Sequence, residues 1–352
     1  MAIAEQMKPW ISGGISAAVG EIPVVDSKLA CSDRLGSYKA RWGFGRMNYR
    51  VDPGLYAVGR PDDNSPVFVS ANYKMSFDRL RSTLCEIDCW IMVLDTKGIN
   101  VWCAAGKGTF GTEEIVRRIK TIGLETVVSH RKLILPMLGA PGVSAHKVRE
   151  LSGFNVIYGP VRANDIPGFL KAGKKTTAAM RQVRFNTIDR AVLIPNELVH
   201  SAKYLLFVAA CFLLLSGFGP DIYSLDRVAT FGIEYAVIVF LTYLIGMILP
   251  PLLLPWLPGR SFSLKGAWIG IALAVGIGYY TRNNPRLYSG DIGMIAWYFI
   301  VPAITSFIAM NFTGCSTYTS LSGVKREMRR AVPVQISCAV IGAGFWVAGL
   351  FA

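Results

Sequence analysis

Five long apolar runs crowd the second half of this chain: Leu198 to Phe218, Phe231 to Leu254, Leu264 to Thr281, Asp291 to Met310 and Val332 to Ala352. Each is near the roughly 20 residues a helix needs to cross the hydrocarbon core of a bilayer. Backbone N–H and C=O groups find no water there, so only helices or closed barrels can span, and runs of this length mean helices. The third run is short and glycine-rich, the weakest of the five. Hydrophobic residues make up 52% of the 352 and charged residues only 17%, a balance unusual for a wholly soluble chain. The excess is not uniform, because residues 1 to about 197 read as an ordinary soluble region.

The formal charge is +14. Nucleic acid is one reading of such a balance, but no binding motif accompanies it, so a cytoplasmic membrane surface is the expected partner. Lys174, Lys175, Arg181, Arg184 and Arg190 make residues 173–197 a basic linker, or else a solvated helix face. With the soluble region inside, the inner segments hold Arg260, Lys265, Lys325, Arg326, Arg329 and Arg330, against Arg227, Arg282 and Arg286 outside. That asymmetry predicts a multi-pass protein of the cytoplasmic (inner) membrane, with the N-terminal domain in the cytoplasm and the C-terminus outside. Met1 to Pro9 carries no apolar core of a signal peptide. The seven cysteines are odd in number and irregularly spaced, which argues against a disulfide framework and for a reducing compartment. Glu234, within the second run, is either a functional intramembrane acid or an interfacial carboxylate. Asn311 to Cys315 either lines a pore or ends a span.

The soluble region divides into an N-terminal segment, 1–50, whose Gly13-Gly14 and Trp42-Gly43-Phe44-Gly45 suggest loops, and an α/β domain over 51–172. Strands are expected at Leu55 to Val58, Val67 to Ser70, Cys89 to Asp95, Lys132 to Leu135 and Phe154 to Tyr158. Helices are expected at Ser76 to Glu86 with Ser76 as a candidate N-cap, from Thr112 as a candidate cap to Ile122, at Ser144 to Leu151 and at Asp165 to Lys171. This alternation predicts a Rossmann-like fold, a mostly parallel sheet with helices on both faces, followed over 198–352 by an all-α transmembrane domain of about five helices. Ligands in such sheets bind beyond the carboxyl ends of the strands. Three loops belong there: the one around Cys103, Pro136 to Val143, and Tyr158 to Ala163.

Within the first of these, Asn100-Val101-Trp102-Cys103-Ala104-Ala105-Gly106-Lys107 places one cysteine where an apolar strand gives way to small residues and then a helix. The strand is expected to resume over Ile99 to Trp102. A thiol at a helix N-terminus meets unpaired N–H groups and the positive end of the macrodipole, both of which favour the thiolate. Small neighbours let something large and flat approach. A buried strand-end cysteine fits the same residues.

The octet resembles the cap-helix signature of the HgcA-type corrinoid proteins that methylate mercury. Ser70 to Lys74, Val93 to Ile99, Gly108 to Thr112, Leu135 to Val143 and Tyr158 to Ala163 resemble that family too, and the similarity runs from about Gly54 to Leu170. The resemblance implies a cobalamin-type corrinoid with its nucleotide base displaced, Asn100 to Lys107 forming the cap, and the Cys103 thiolate as lower axial ligand of cobalt. It implies that Val101 and Trp102 pack the cap and that Ala104, Ala105 and Gly106 keep it close to the ring. Leu138, Gly139, Ala140, Pro141, Gly142 and Val143, with Tyr158, Gly159 and Pro160, would complete the binding site. The activity implied is methyl transfer from cobalt to Hg(II), forming methylmercury, in an anaerobe. The implied partners are a methylated pterin or its methyltransferase as donor and a ferredoxin-like protein with two 4Fe–4S clusters as reductant.

Other chemistries fail on spacing. Gly106-Lys107 is no phosphate loop, because Val101 stands where the motif's first glycine belongs and Gly108 where Ser or Thr belongs. Cys85 and Cys89 lack partners for zinc, and His130 and His146 are isolated. The Asp-x-His-x-x-Gly pattern of histidine-ligated cobalamin domains is absent. Two alternatives stay open: a membrane-bound corrinoid methyl carrier of one-carbon metabolism, and a transporter or scaffold whose soluble domain holds no cofactor.

Overall fold

The computed structural model describes residues 8–284, 290–312 and 321–352. The chain forms two compact units, Met1–Val183 and Arg184–Ala352.

The first unit opens with a hairpin of β1 (Ile11–Ala17) and β2 (Gly20–Val25), then α1 (Cys31–Arg41) and β3 (Gly54–Val58). A repeating α/β pattern follows: β4 (Val67–Ala71), α2 (Lys74–Thr83), β5 (Cys89–Leu94), α3 (Val101–Lys107), α4 (Thr112–Ile122), α5 (Leu124–Val127), β6 (Lys132–Leu135), α6 (Ala145–Ser152) and β7 (Asn155–Tyr158). Two short helices, α7 (Ile166–Lys171) and α8 (Ala178–Arg181), complete the unit. The seven strands form one sheet in the order β1-β2-β3-β5-β4-β6-β7. Strands β5, β4, β6 and β7 are mutually parallel, β3 is antiparallel to β5, and β2 is parallel to β3. Every residue of β4 and β5 is buried, as expected of strands covered on both faces. One face packs Val69, Met92 and Leu94 against Ala104, Ile115 and Val148. The other packs Phe68, Ile91 and Val93 against Phe77, Leu80 and Phe169.

Three local expectations are corrected. The first fifty residues are not mainly loops: β1 and β2 extend the sheet, and Trp10 seats its ring against Tyr56 and Phe77. Glycines at 13 and 14 on a mostly exposed strand hide the alternation that would mark it. Helix α2 starts at Lys74 rather than Ser76, because the Lys74 N–H finds the Tyr49 carbonyl at 3.0 Å. Thr112 does not cap α4. Gly111 holds the extended cap position, and Thr112 Oγ1 instead accepts from the Ser144 N–H at 2.9 Å.

The second unit holds α9 (Thr187–Ala191), α10 (Ile194–Leu215), a minimal hairpin of β8 (Phe218–Gly219) and β9 (Ile222–Tyr223), and α11 (Leu225–Arg227). Then come α12 (Ile233–Leu252), α13 (Phe262–Arg282), α14 (Gly290–Asn311) and α15 (Leu321–Phe351). Among the described residues, five helical stretches are long and apolar enough to span a membrane: Thr187–Leu215, Leu225–Leu252, Phe262–Arg282, Gly290–Asn311 and Ser322–Phe351. The first and last begin well before the apolar runs at Leu198 and Val332, since helix continues into their polar flanks. The glycines that weaken the third run are its packing surface. A Cβ on Gly270 would lie 2.5 Å from Pro302 Cα, and one on Gly266 would lie 2.9 Å from Ser306 Cα, so α13 and α14 meet at close range. Cys315 and Arg286, and with Cys315 most of the Asn311 to Cys315 segment, lie outside the described residues.

Candidate functional site

Because β4, β5, β6 and β7 run parallel, the segments that follow them emerge at one edge of the sheet. The chain passes from β4 to β5 on one side, then crosses to β6 on the other. That reversal is a topological switch point at the carboxyl ends, the usual ligand position in doubly wound sheets.

The turn after β5 is held from β4. Asn72, 2% exposed, accepts at Oδ1 from the N–H groups of Thr96 (3.1 Å) and Gly98 (2.9 Å), and Thr96 Oγ1 lies 2.8 Å away. Lys97 and Gly98 both have positive φ, 59° and 74°, so the chain reverses there. The strand therefore does not resume over Ile99 to Trp102; Asn100 is a helix cap and Val101 already helical. Asn100 Oδ1 accepts from the Cys103 N–H at 2.9 Å, which occupies one of the donors expected to stand free around the thiol. Gly108, φ 80°, ends the helix.

Helix α3 is two-faced. Val101, Ala104 and Ala105 are buried and belong to the core. Trp102, Cys103, Gly106 and Lys107 are exposed. Trp102, 40% exposed, thus does not pack the helix into the core as expected; Val101 does. Cys103 and Gly106 stand three residues apart, hence on one face, and a Cβ at Gly106 would meet no atom within 4 Å. The thiol therefore sits beside an open, nearly flat stretch of helix. Cys103 is not the buried strand-end cysteine that its neighbours also allowed. Cys89 is that residue, fully buried, with burial and then Asp88 pushing its thiol pKa up.

The loop after β6 supports α3 from beneath. A Cβ on Gly142 would lie 3.0 Å from Ala105 Cα and collide with the Phe110 carbonyl, so only glycine allows this approach. Gly139 is buried against the Phe110 ring, Val143 is a core residue, and Leu138 packs at its margin. Ala140 is half-buried and Pro141 exposed. Tyr158 donates its hydroxyl to the Val143 carbonyl at 2.8 Å, tying the end of β7 to this loop. Burial raises the Tyr158 pKa, which keeps that donor protonated. Gly159 and Pro160 are buried, and the Gly159 N–H donates to Leu135 O at 2.8 Å. These three sequence-selected loops are thus connected by hydrogen bonds and packing at one sheet edge.

Asn72 and Thr96 were not distinguished by the sequence as site residues, nor was Glu114, which accepts from the Asp95 N–H at 2.9 Å and pairs with Arg118. Also unforeseen is a buried quartet. Asp33 and Asp78 bind Lys74 at 2.6 and 2.7 Å, and Arg81 at 2.7 and 2.8 Å. Burial pushes the Asp33 pKa up, but the two cations outweigh it and hold it below the usual carboxylate range. His130 is structural: Nδ1 accepts from the Lys132 N–H, so Nε2 donates to Ser65 O at 2.9 Å. Among the described residues, no three His, Cys, Asp or Glu side chains converge on a metal position, and all six cysteines are free.

Residues 44–170 match the family model described as CO dehydrogenase/acetyl-CoA synthase delta subunit. The chain is 34% identical over 128 residues to the acetyl-CoA decarbonylase/synthase complex subunit gamma of Methanopyrus kandleri, covering 36% of this chain and 27% of that protein. It is 31% identical over 125 residues to the corrinoid/iron-sulfur protein large subunit of Moorella thermoacetica, covering 35% of this chain and 28% of that one. The chain therefore spans about a quarter of the length of the curated relatives it matches. The matched region contains α3, the glycine loop after β6 and the end of β7.

Proposed function

We propose that the α/β unit binds a corrinoid at the edge bearing α3, with the Cys103 thiolate as lower axial ligand of cobalt, and that the chain is a membrane-anchored methyl-transfer protein. One observation carries this reading: Cys103 is exposed on an open helix face, inside a region similar to a protein named for its corrinoid. The residues present fit such a group, since Gly106 leaves the space a broad planar ring requires. Asn100 would hold the first turn in register, and Ala104 and Ala105 would fix the helix to the core. Leu138 to Val143 and Tyr158 to Pro160 would border the ring. When bound, a corrinoid supplies a cobalt centre that accepts and releases a methyl group, tuned by its axial ligand and by burial.

The relatives' names support one-carbon metabolism as the setting, with this chain as a membrane-bound methyl carrier. A finer reading takes Hg(II) as acceptor, supported by the resemblance of Asn100 to Lys107 to the mercury-methylating cap. If Cys103 held the corrinoid, its thiolate would supply electron density to cobalt, and the bound group would then offer methyl-transfer chemistry suited to a soft, electrophilic acceptor. The donor would be a methylated pterin or its methyltransferase. The reductant would be an iron–sulfur protein such as a ferredoxin with two 4Fe–4S clusters. The spans would anchor the α/β unit on the cytoplasmic face.

The test uses the full chain in detergent. Reconstitution with cobalamin should give a coloured protein whose visible spectrum changes in Cys103→Ala. Methyl transfer is then measured to Hg(II) and, in parallel, to thiol and pterin acceptors. Methylmercury as the dominant product selects the finer reading; transfer only to the others selects the carrier. A protein that stays colourless overturns both.

A further inference from the structure

Helix α15 carries a cationic stripe that its own unit leaves unneutralised. Lys325, Arg326, Arg329 and Arg330 are all exposed, and with Ser322 they line a groove of about 390 Å³. The spacing 322, 325, 326, 329, 330 is that of a single helix face. Among the described residues none of the four cations has an ion-pair partner. The acid nearest in sequence, Glu327, is engaged elsewhere: its Oε1 accepts from the Ser263 N–H at 2.6 Å, at the start of α13. Like charges at i and i+4, here Lys325 with Arg329 and Arg326 with Arg330, destabilise a helix. Such a stripe calls for an anion from outside the chain.

The same face then changes character. Continued by seven-residue steps, it passes through Pro333, Ile336, Val340 and Val347, all exposed. Ile336 is 58% and Val340 65% exposed, on a helix apolar enough to span a bilayer. The opposite face is occupied: the Gln335 side chain donates to Ser306 Oγ at 2.8 Å, and Gly342 approaches the Ala296 carbonyl. One helix face thus offers a cationic groove followed by an exposed apolar strip.

We propose that this face of α15 binds an anionic phospholipid, its headgroup phosphate held by Lys325, Arg326, Arg329 and Arg330 and its acyl chains lying along Ile336, Val340 and Val347. A free inorganic phosphate could satisfy the cations, but it would leave the continuous apolar strip unexplained. The lipid is therefore the committed occupant.

The test reconstitutes the full chain in nanodiscs of phosphatidylcholine alone or with a minor fraction of phosphatidylglycerol or cardiolipin. Anionic lipid retained on the protein after mild detergent washing is quantified by mass spectrometry. The chain should enrich anionic over zwitterionic lipid. Arg326→Gln/Arg330→Gln should lower retention by roughly fivefold per charge removed, whereas Arg326→Lys/Arg330→Lys should keep most of it. A control that removes two exposed cations of the α/β unit, Lys120→Gln/Lys147→Gln, should retain lipid like the unaltered chain. Equal loss in that control, no enrichment, or displacement of the lipid by millimolar inorganic phosphate would each overturn the proposal.

Discussion

The two units treat buried polar groups in opposite ways. In the α/β unit, charge is buried as a closed set: Arg81 is fully buried, yet it and Lys74 share Asp33 and Asp78, residues drawn from α1 and α2. In the helical unit, the buried Arg190 is met by oxygens of neutral groups among the described residues. It donates to the carbonyls of Phe185 (2.7 Å), Pro251 (2.6 Å) and Leu252 (3.2 Å), and to Thr187 Oγ1. Among the described residues, every buried side-chain polar atom without a partner also lies in the helical unit: on Arg227, Glu234, Gln335 and Trp346. Packing α1 against α2 brings Asp33 to Lys74 and Arg81 and matches charge with charge. A bundle of apolar helices offers mainly the carbonyls left over at helix ends, as at Pro251, whose usual N–H partner four residues on would be Pro255, which has none.

This contrast can be broken or sharpened by experiment. The largest effect is expected at the thiol. Cys103→Ala should abolish methyl transfer while leaving the melting temperature of the chain close to unchanged, because the side chain is exposed and makes no packing contact the core requires. Near-normal transfer in that variant would remove the axial-ligand assignment.

The next effect belongs to the buried quartet. Arg81→Met leaves two buried carboxylates with one cation, and breaking a buried pair costs about 3–5 kcal/mol. Chemical denaturation in detergent, followed by tryptophan fluorescence, should show that loss. Arg190→Met should cost less, because it frees carbonyls but strands no opposite charge. A larger loss at Arg190 would reverse the comparison.

A smaller effect is expected where backbones touch. Gly142→Ala should destabilise the α/β unit by about 1–3 kcal/mol through overpacking against Ala105 and Phe110. It should also weaken corrinoid retention by shifting α3, as read by bound absorbance after gel filtration.

The smallest effect is one of pH. Asp33 has a lowered pKa in the folded chain. Its contribution is complete above the ordinary value of 3.8 and is lost as pH falls through the depressed folded value. Acid unfolding of the unaltered chain should therefore steepen below about pH 4, and Asp33→Asn should flatten that limb while lowering stability at neutral pH. Parallel acid limbs in the two proteins would show that the quartet's protons are not released on folding.

The spans were legible because each is self-contained: a helix satisfies its own backbone, so length and apolarity suffice to find it. The strands from β4 to β7 were legible for a similar reason, being continuous apolar runs between turn residues. The N-terminal hairpin was not, since β1 is largely exposed and interrupted by Gly13 and Gly14. At the site, Cys103 and the glycine loops stood out by residue type, while Asn72 and Glu114 did not, because an Asn or a Glu acquires meaning only from what folding places beside it.

The sequence by itself determined the two-part architecture, the parallel-rich α/β alternation, and the single cysteine between small residues at a strand-to-helix passage. Tertiary structure alone decided that Trp102 faces outward and that Asn72, at the end of β4, holds the turn after β5. It also decided that Asp33, Lys74, Asp78 and Arg81 bury one another. Hydrophobic period and chain length act along the sequence and can be read there. Hydrogen bonds and ion pairs between residues dozens of positions apart depend on which surfaces the sheet brings together, and no local pattern records that.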